Sequence, residues 1–252
     1  MNRILLICFL LFVATFPSMA QQPFVDDFTL SGDTYLTEEY CFRLTEERPY
    51  ASGSIWYKRP VSLAKPFAIE LTIMVGCEDE AGADGMVFAF TPQANRLGYV
   101  GEGIGFAGLV PSVGIEIDTW CNEHLGDPAE DHLAIMLNGR IGHWANLVGP
   151  VVIPNLEDCR RHSLIVRWQP EIQRLSVLID GVERISAQHD LINQVFGGND
   201  KVYWGMTAAT GRYYNYHEVC FDRISLGEPP MNFPQQEDLP SPTRYLASAW
   251  SW

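Results

Sequence analysis

What this chain can fold into is limited most by the recurrence of short apolar segments, four to nine residues long, separated by glycine, proline, asparagine or aspartate. Residues 67–75 (FAIELTIMV) alternate in character along their length, and residues 85–90, 113–118, 132–137, 163–168, 175–179, 182–185, 202–206 and 218–222 are short, β-branched or aromatic. Alternation with period two sends successive side chains to opposite faces of a sheet. Gln169-Pro170-Glu171 and Asp180-Gly181 are turn signals between neighbouring segments. Many short strands with turns between them predict an all-β antiparallel sandwich or closed sheet. Trp56, Trp168 and Trp204 fall on such segments and are expected in the core. Only residues 190–195 read as helix, and there is no internal repeat.

The ends carry different signals. Met1-Asn2-Arg3, the apolar run 4–16 and Pro17-Ser18-Met19-Ala20 have the layout of a secretory leader, expected over residues 1–20. The run is too short for a membrane span, which takes roughly 20 residues. The chain is therefore expected outside the cytoplasm, secreted or at the cell surface. Residues 21–226 form the expected domain, and 227–252, rich in proline and polar residues, read as a tail. The net charge of −14 excludes nucleic acid and anionic membrane surfaces as natural partners. Beyond the leader there are five cysteines with no CxxC pair, which argues against a zinc ribbon, and an exported location lets disulfides persist. Spacing alone does not give their connectivity.

The densest chemistry lies in residues 114–132, GIEIDTWCNEHLGDPAEDH. Glu116 and Asp118 share a strand face, Trp120 and Asn122 continue it although the chain turns after Trp120, and Asp127 and His132 follow on a loop that ends at the next strand. Two carboxylates on one face repel unless a positive charge lies between them. Carboxylate, amide and carbonyl oxygens suit calcium, and an added imidazole suits manganese or a similar transition ion.

The run Glu116-x-Asp118-x-Trp120-x-Asn122, continued by Asp127 and His132, resembles the metal-binding signature of the legume-type (L-type) lectins. Ala83-Asp84-Gly85 resembles the family's strand entry, Gly101-Glu102-Gly103-Ile104-Gly105 its glycine-rich loop, and residues 207–219 its variable specificity loop and following strand. These motifs stand in family order, and details such as residues 202–211 (VYWGMTAATG) resemble bacterial cell-surface members. The resemblance implies a concanavalin A-like antiparallel β-sandwich (jelly roll) and a non-enzymatic, calcium-dependent glycan-binding protein.

It also implies roles. Asp118 and Asp127 would bridge two metals, Asn122 and the Trp120 carbonyl would complete a Ca2+ site, and Glu116 and His132 would hold a second ion such as Mn2+. Asp84, expected after a cis peptide, would accept from sugar hydroxyls. The Gly103 N–H and the Asn122 amide would donate, Trp120 would cover an apolar sugar face, and Arg212, Tyr213 and Asn215 would tune specificity. Since the family's first and last strands are neighbours, Cys41 would pair with Cys220 and Cys77 with Cys159, leaving Cys121 free; a homo-oligomer is compatible with all of this.

There are departures. The stretch Gly139-Arg-Ile-Gly-His143 lacks the hydroxyl residue that anchors a water on the second metal in plant members, which makes calcium the firmer expectation. Glu102 interrupts the glycine run and is expected to face solvent, and His217 is expected to be structural. Two other classes use such sandwiches. A glycoside hydrolase would need a second glutamate shortly after Glu116-Ile-Asp118, giving carboxyls about 5 Å apart, but residues 119–121 are Thr, Trp and Cys. A purely structural adhesion domain would have no use for Asp84, Gly103 and Asn122.

Overall fold

A computed structural model describes residues 25–38 and 40–227; the expected leader and all of the expected tail beyond Gly227 lie outside them. The strands are β1 (Phe28–Gly32), β2 (Tyr35–Glu38), β3 (Cys41–Thr45), β4 (Ser52–Tyr57), β5 (Val61–Ser62), β6 (Phe67–Met74), β7 (Gly85–Thr91), β8 (Val113–Asp118), β9 (His132–Leu137), β10 (Val148–Val152), β11 (His162–Gln169), β12 (Arg174–Ile179), β13 (Val182–Gln188), β14 (Lys201–Ala209) and β15 (His217–Leu226). They form two antiparallel sheets. One runs β1-β4-β14-β7-β8-β9-β10, with β5 paired to β14, and the other β13-β12-β11-β6-β15-β3-β2. The architecture is the expected all-β sandwich. The segment expected as helix is a single π-type turn, Leu191–Val195, capped by the Asp190 carboxylate, which accepts from Asn193 N at 3.0 Å.

The principal core lies between the sheets and follows the period-two pattern. On β11, Leu164, Val166 and Trp168 point inward and are buried while the residues between them are partly exposed. Trp168 still satisfies its indole, donating to Leu63 O at 2.7 Å. Trp204 stacks on Phe88 with ring centroids 5.7 Å apart and planes 9° from parallel, and Phe28, Tyr57 and Phe221 pack around it.

β8 departs from the alternating rule: all six of its residues are buried. Ile115 and Ile117 face the principal core. On the other face of the same sheet, Trp56, Val87, Ala89, Ala134 and Met136 form a second cluster, roofed by Ile104, Phe106 and Leu109. Gly114 permits this roof, because a Cβ there would stand 2.6 Å from the Phe106 ring. The glycine-rich stretch does not lead straight into a strand: Gly101–Gly103 is a 3-10 turn, Ile104 turns the chain at a φ of 45°, and the next strand begins only at Val113. The intervening residues are used to cover the sheet.

Two disulfides are present, Cys41–Cys220 between the paired strands β3 and β15, and Cys77–Cys159 between the end of β6 and the approach to β11; Cys121 is free.

Trp204 gives a test of how the principal core is held. Its Nε1 has no hydrogen-bond partner among the described residues, so its contribution comes from ring packing. Trp204→Ala is expected to cost about 3–5 kcal/mol in urea unfolding, and Trp204→Phe, which keeps a ring on Phe88, about 1–2 kcal/mol.

Candidate functional site

The register of three neighbouring strands gathers the candidate residues. Gly85 on β7 pairs with Asp118 on β8, and Asp118 pairs with His132 on β9. Val87, Glu116 and Ala134 form the next row, so Glu116 and Asp118 lie on the roofed face rather than in the principal core. Both are almost completely buried, at 2% and 3% exposure. Residues between β8 and β9 fold back over them. Trp120 N donates to Asp118 Oδ1 at 2.8 Å, Asn122 N donates to Asp127 Oδ2 at 2.6 Å, and the 3-10 turn Glu123–Leu125 closes the loop.

A residue not assigned from the sequence completes this cluster. His143, at the start of the short 3-10 turn His143–Ala145, brings Nε2 to 2.9 Å from Asp127 Oδ1 and 3.1 Å from His132 Nε2. Glu116, His132 and His143 form one group able to hold a cation, and Asp118, Asp127 and His132 form another. A third such group, Cys41, Glu218 and Cys220, is ruled out because both sulfurs are spent in the disulfide. The electrostatics show how ill-matched the acidic groups are by themselves. Burial, with the charge of Asp127 added, pushes Glu116 up to about 8. Burial and Glu116 together push Asp118 well above the usual carboxylate range. Burial lowers His132, against the opposing pull of Asp127. The buried Oε2 of Glu116 and Oδ1 of Asn122 have no hydrogen-bond partner among the described residues. Oxygens of this kind cost free energy unless a cation or donor reaches them. The donor set therefore fits divalent metal.

Beside the cluster lies Asp84. The Ala83–Asp84 peptide is cis, and Asp84 is held by its main chain, its N–H donating to Ala209 O and its carbonyl accepting from Thr119 N. Its carboxylate is buried, Oδ2 has no partner, and burial with help from Glu102 raises it to about 7. Gly211, another residue the sequence reading did not single out, leaves room for that carboxylate: a Cβ there would be 3.3 Å from Asp84 Oδ2 and 3.7 Å from Gly101. The Gly103 N–H is held only by a long bond to Val100 O, 3.3 Å. Trp120 and Tyr213 stack at 4.4 Å and 24°, making an aromatic wall from two loops. Glu102 is exposed as expected and meets His124 at 2.9 Å, joining the glycine-rich loop to the loop after β8.

Arg212 and Tyr213 are exposed beside a cleft shared with Tyr214, Glu47, Glu78 and Ala81. Asn215 is placed differently. It is fully buried, its Oδ1 accepts from Cys77 N and Glu78 N, and its Nδ2 donates to Glu78 O and Glu157 Oε1. Its amide has nothing left for a ligand, and it fixes the position of the loop. Glu157 is itself buried and raised to about 8, chiefly by desolvation. His217 is fully buried, shares a 2.6 Å hydrogen bond with Thr45 Oγ1 and is lowered to about 3 by burial, which makes it neutral and structural.

The legume lectin β-barrel domain family matches residues 19–223 of this chain. Among curated proteins, the L-type lectin-domain containing receptor kinase VII.1 of Arabidopsis thaliana is 24% identical over 211 residues, which cover 72% of this chain; the chain spans 30% of that protein's length. Among solved structures, the metal-free form of lectin I-B4 from Griffonia simplicifolia superposes with a TM-score of 0.68 at 20% identity, covering 81% of this chain and 94% of that one. Lectin II from Ulex europaeus gives 0.69 at 17%, covering 83% and 98%. The exoplasmic/lumenal domain of VIP36, bound to Ca2+ and Man3GlcNAc, gives 0.67 at 21%, covering 86% and 91%.

The raised carboxylates fix a pH dependence. An acid whose folded pKa lies above its unfolded value binds more protons when folded, so stability falls as pH rises between the two values. For Glu116 that window runs from the ordinary 4.5 to about 8. His217 opposes it only below its ordinary 6.5, since above that it is neutral in both states. The chelated protein is therefore expected to lose thermal stability between pH 6.5 and 8, and Glu116→Gln to flatten that slope. Melting temperature against pH, in chelator and in excess divalent cation, checks both.

Proposed function

Because the chain belongs to the legume lectin β-barrel domain family, we propose that it is a calcium-dependent carbohydrate-binding protein and not an enzyme, with its sugar site at Asp84. The observation that carries this reading is the buried Asp84 carboxylate, with one oxygen unpartnered, beside the Trp120–Tyr213 stack and the acidic loop. A carboxylate accepts from vicinal hydroxyls, an amide and a main-chain N–H donate back, and an aromatic face covers the apolar C–H side of a pyranose. Here Asp84 accepts, Gly103 N–H and the Asn122 amide donate, Trp120 supplies the aromatic face, and Arg212 and Tyr213 select among sugars from the exposed loop that Asn215 holds.

Asp118, Asp127, Asn122 and the Trp120 carbonyl are the oxygen donors that would hold calcium, with Glu116 and His132 toward a second ion such as Mn2+. Bound calcium supplies the charge that these buried carboxylates lack. With the loop fixed, Asn122 and Trp120 are in place before the sugar arrives, which lowers the ordering cost of binding. Catalysis by a carboxylate pair is disfavoured, because the second glutamate it would need shortly after Glu116-Ile-Asp118 is missing, residues 119–121 being Thr, Trp and Cys. The leader-like residues 1–20 and the two disulfides support an exported location, with residues 21–226 as the lectin unit. A glycan is the partner, and a homo-oligomer would raise the avidity of a shallow single site.

A glycan array probed with the full chain, in calcium and manganese and again after chelation, tests this reading. Binding to a defined glycan that disappears on chelation is expected. Asp84→Ala should weaken it on the order of 100-fold or more, the worth of two hydrogen bonds to a charged group, with metal binding and melting temperature retained. Asp127→Ala should lose metal and sugar together. Binding that survives both chelation and Asp84→Ala would overturn the assignment.

A further inference from the structure

We propose that His143 is a direct ligand of the second cation site, and that this site, built from Glu116, Asp127, His132 and His143, takes a nitrogen-favouring first-row dication of the zinc class. The inference rests on the lectin reading of the cluster and departs from it in ligand and in metal.

The distances suit one small ion. His143 Nε2 stands 2.9 Å from Asp127 Oδ1 and 3.1 Å from His132 Nε2, and Asp127 Oδ1 stands 4.0 Å from His132 Nε2. Metal bonds of about 2.0–2.2 Å to nitrogen and oxygen keep any two ligands within about 4.4 Å of each other. The ligand atoms of Glu116, His132 and His143 also lie within 4.8 Å of one another. The side chains of His132, Asp127 and His143 are 1%, 2% and 5% exposed, so bulk water does not compete for them. Glu116 belongs to the same group, and its buried, unpartnered Oε2 lies 3.9 Å from His143 Nδ1.

The protonation pattern agrees. Glu130 O lies 3.2 Å from His132 Nδ1 and accepts its hydrogen, which leaves Nε2 as a lone pair turned toward His143. The Asn146 amide lies 2.5 Å from His143 Nδ1, and its buried Oδ1 has no partner. Exchanging the oxygen and nitrogen of that amide, which have the same shape, lets Oδ1 accept from Nδ1–H and leaves Nε2 as the lone pair. The two Nε2 atoms then face each other as lone pairs at 3.1 Å, an arrangement that repels unless a cation lies between them. Carboxylate and water ligands suit manganese and calcium, whereas imidazoles shift preference toward zinc, nickel and copper.

The test uses the full chain, stripped with chelator and returned to calcium. Cobalt(II) serves as the optical probe, displaced by zinc or manganese. A visible d–d band is expected, with zinc displacing cobalt at concentrations roughly tenfold or more below manganese. His143→Ala and His143→Ser are expected to lose the band and weaken zinc binding roughly 10–100-fold. X-ray absorption of the zinc-loaded unaltered chain should count two imidazoles, a reading that does not depend on a variant folding. One imidazole, or zinc binding unchanged in both variants, would overturn the proposal. Calcium-dependent glycan binding in a chain that takes up no zinc would overturn it while leaving the lectin reading in place. Two-imidazole zinc binding in a chain that binds no glycan would uphold it and sink the lectin reading instead.

Discussion

Three carboxylates, Glu116, Asp118 and Asp127, are buried against one another at one end of the β7-β8-β9 ladder, and no lysine or arginine approaches them among the salt bridges of the described residues. Buried like charges of this kind are tolerated only if protons, imidazoles or a cation offset them. The loop after β8 is shaped by that requirement. Its backbone amides at Trp120 and Asn122 are turned toward Asp118 and Asp127, Thr119 N donates to Asp84 O, and the Trp120 ring stacks on Tyr213. The charge cluster and the Trp120–Tyr213 stack thus share one loop, and what stabilises the first orders the second.

That the cluster is buried at all depends on the second apolar layer. An ordinary sandwich would expose the outer face of β8 to water, where Glu116 and Asp118 would be unremarkable surface acids. Here Ile104, Phe106 and Leu109 close over that face, with Gly114 admitting the Phe106 ring. The low dielectric under this roof, with the neighbouring carboxylates, is what raises Glu116 and Asp118.

The sandwich was legible because inward positions on β6, β11 and β12 follow period two, and Glu116, Asp118 and His132 could be placed on adjacent strands for the same reason. Other features left weaker traces. Residues 104–112 are apolar yet form no strand, and an apolar run does not say whether it enters a ladder or caps one. His143 sits just past β9 with no motif around it, and only the return of that turn toward the acidic loop brings its ring to Asp127. Asn215 looked like a loop residue by its position between Tyr214 and Tyr216; its burial depends on Gly76 and Gly82, whose missing side chains make the space its amide occupies. The signal that could have found it is an amide flanked by aromatics where main-chain donors and acceptors converge, and such convergence is a property of three dimensions.

The loop 211–214 is staked at both ends independently of any ion. At one end Thr210 is buried, exchanging hydrogen bonds with Ala51 and donating to Arg48 O; at the other Asn215 ties the chain to Cys77, Glu78 and Glu157. Between the stakes, Arg212, Tyr213 and Tyr214 project outward and take little part in the cores. Such an arrangement separates the rim from the scaffold: a change of side chain at any of these three positions leaves the anchors and both cores untouched, so the outline of the rim can be altered without altering the shape of the loop that carries it.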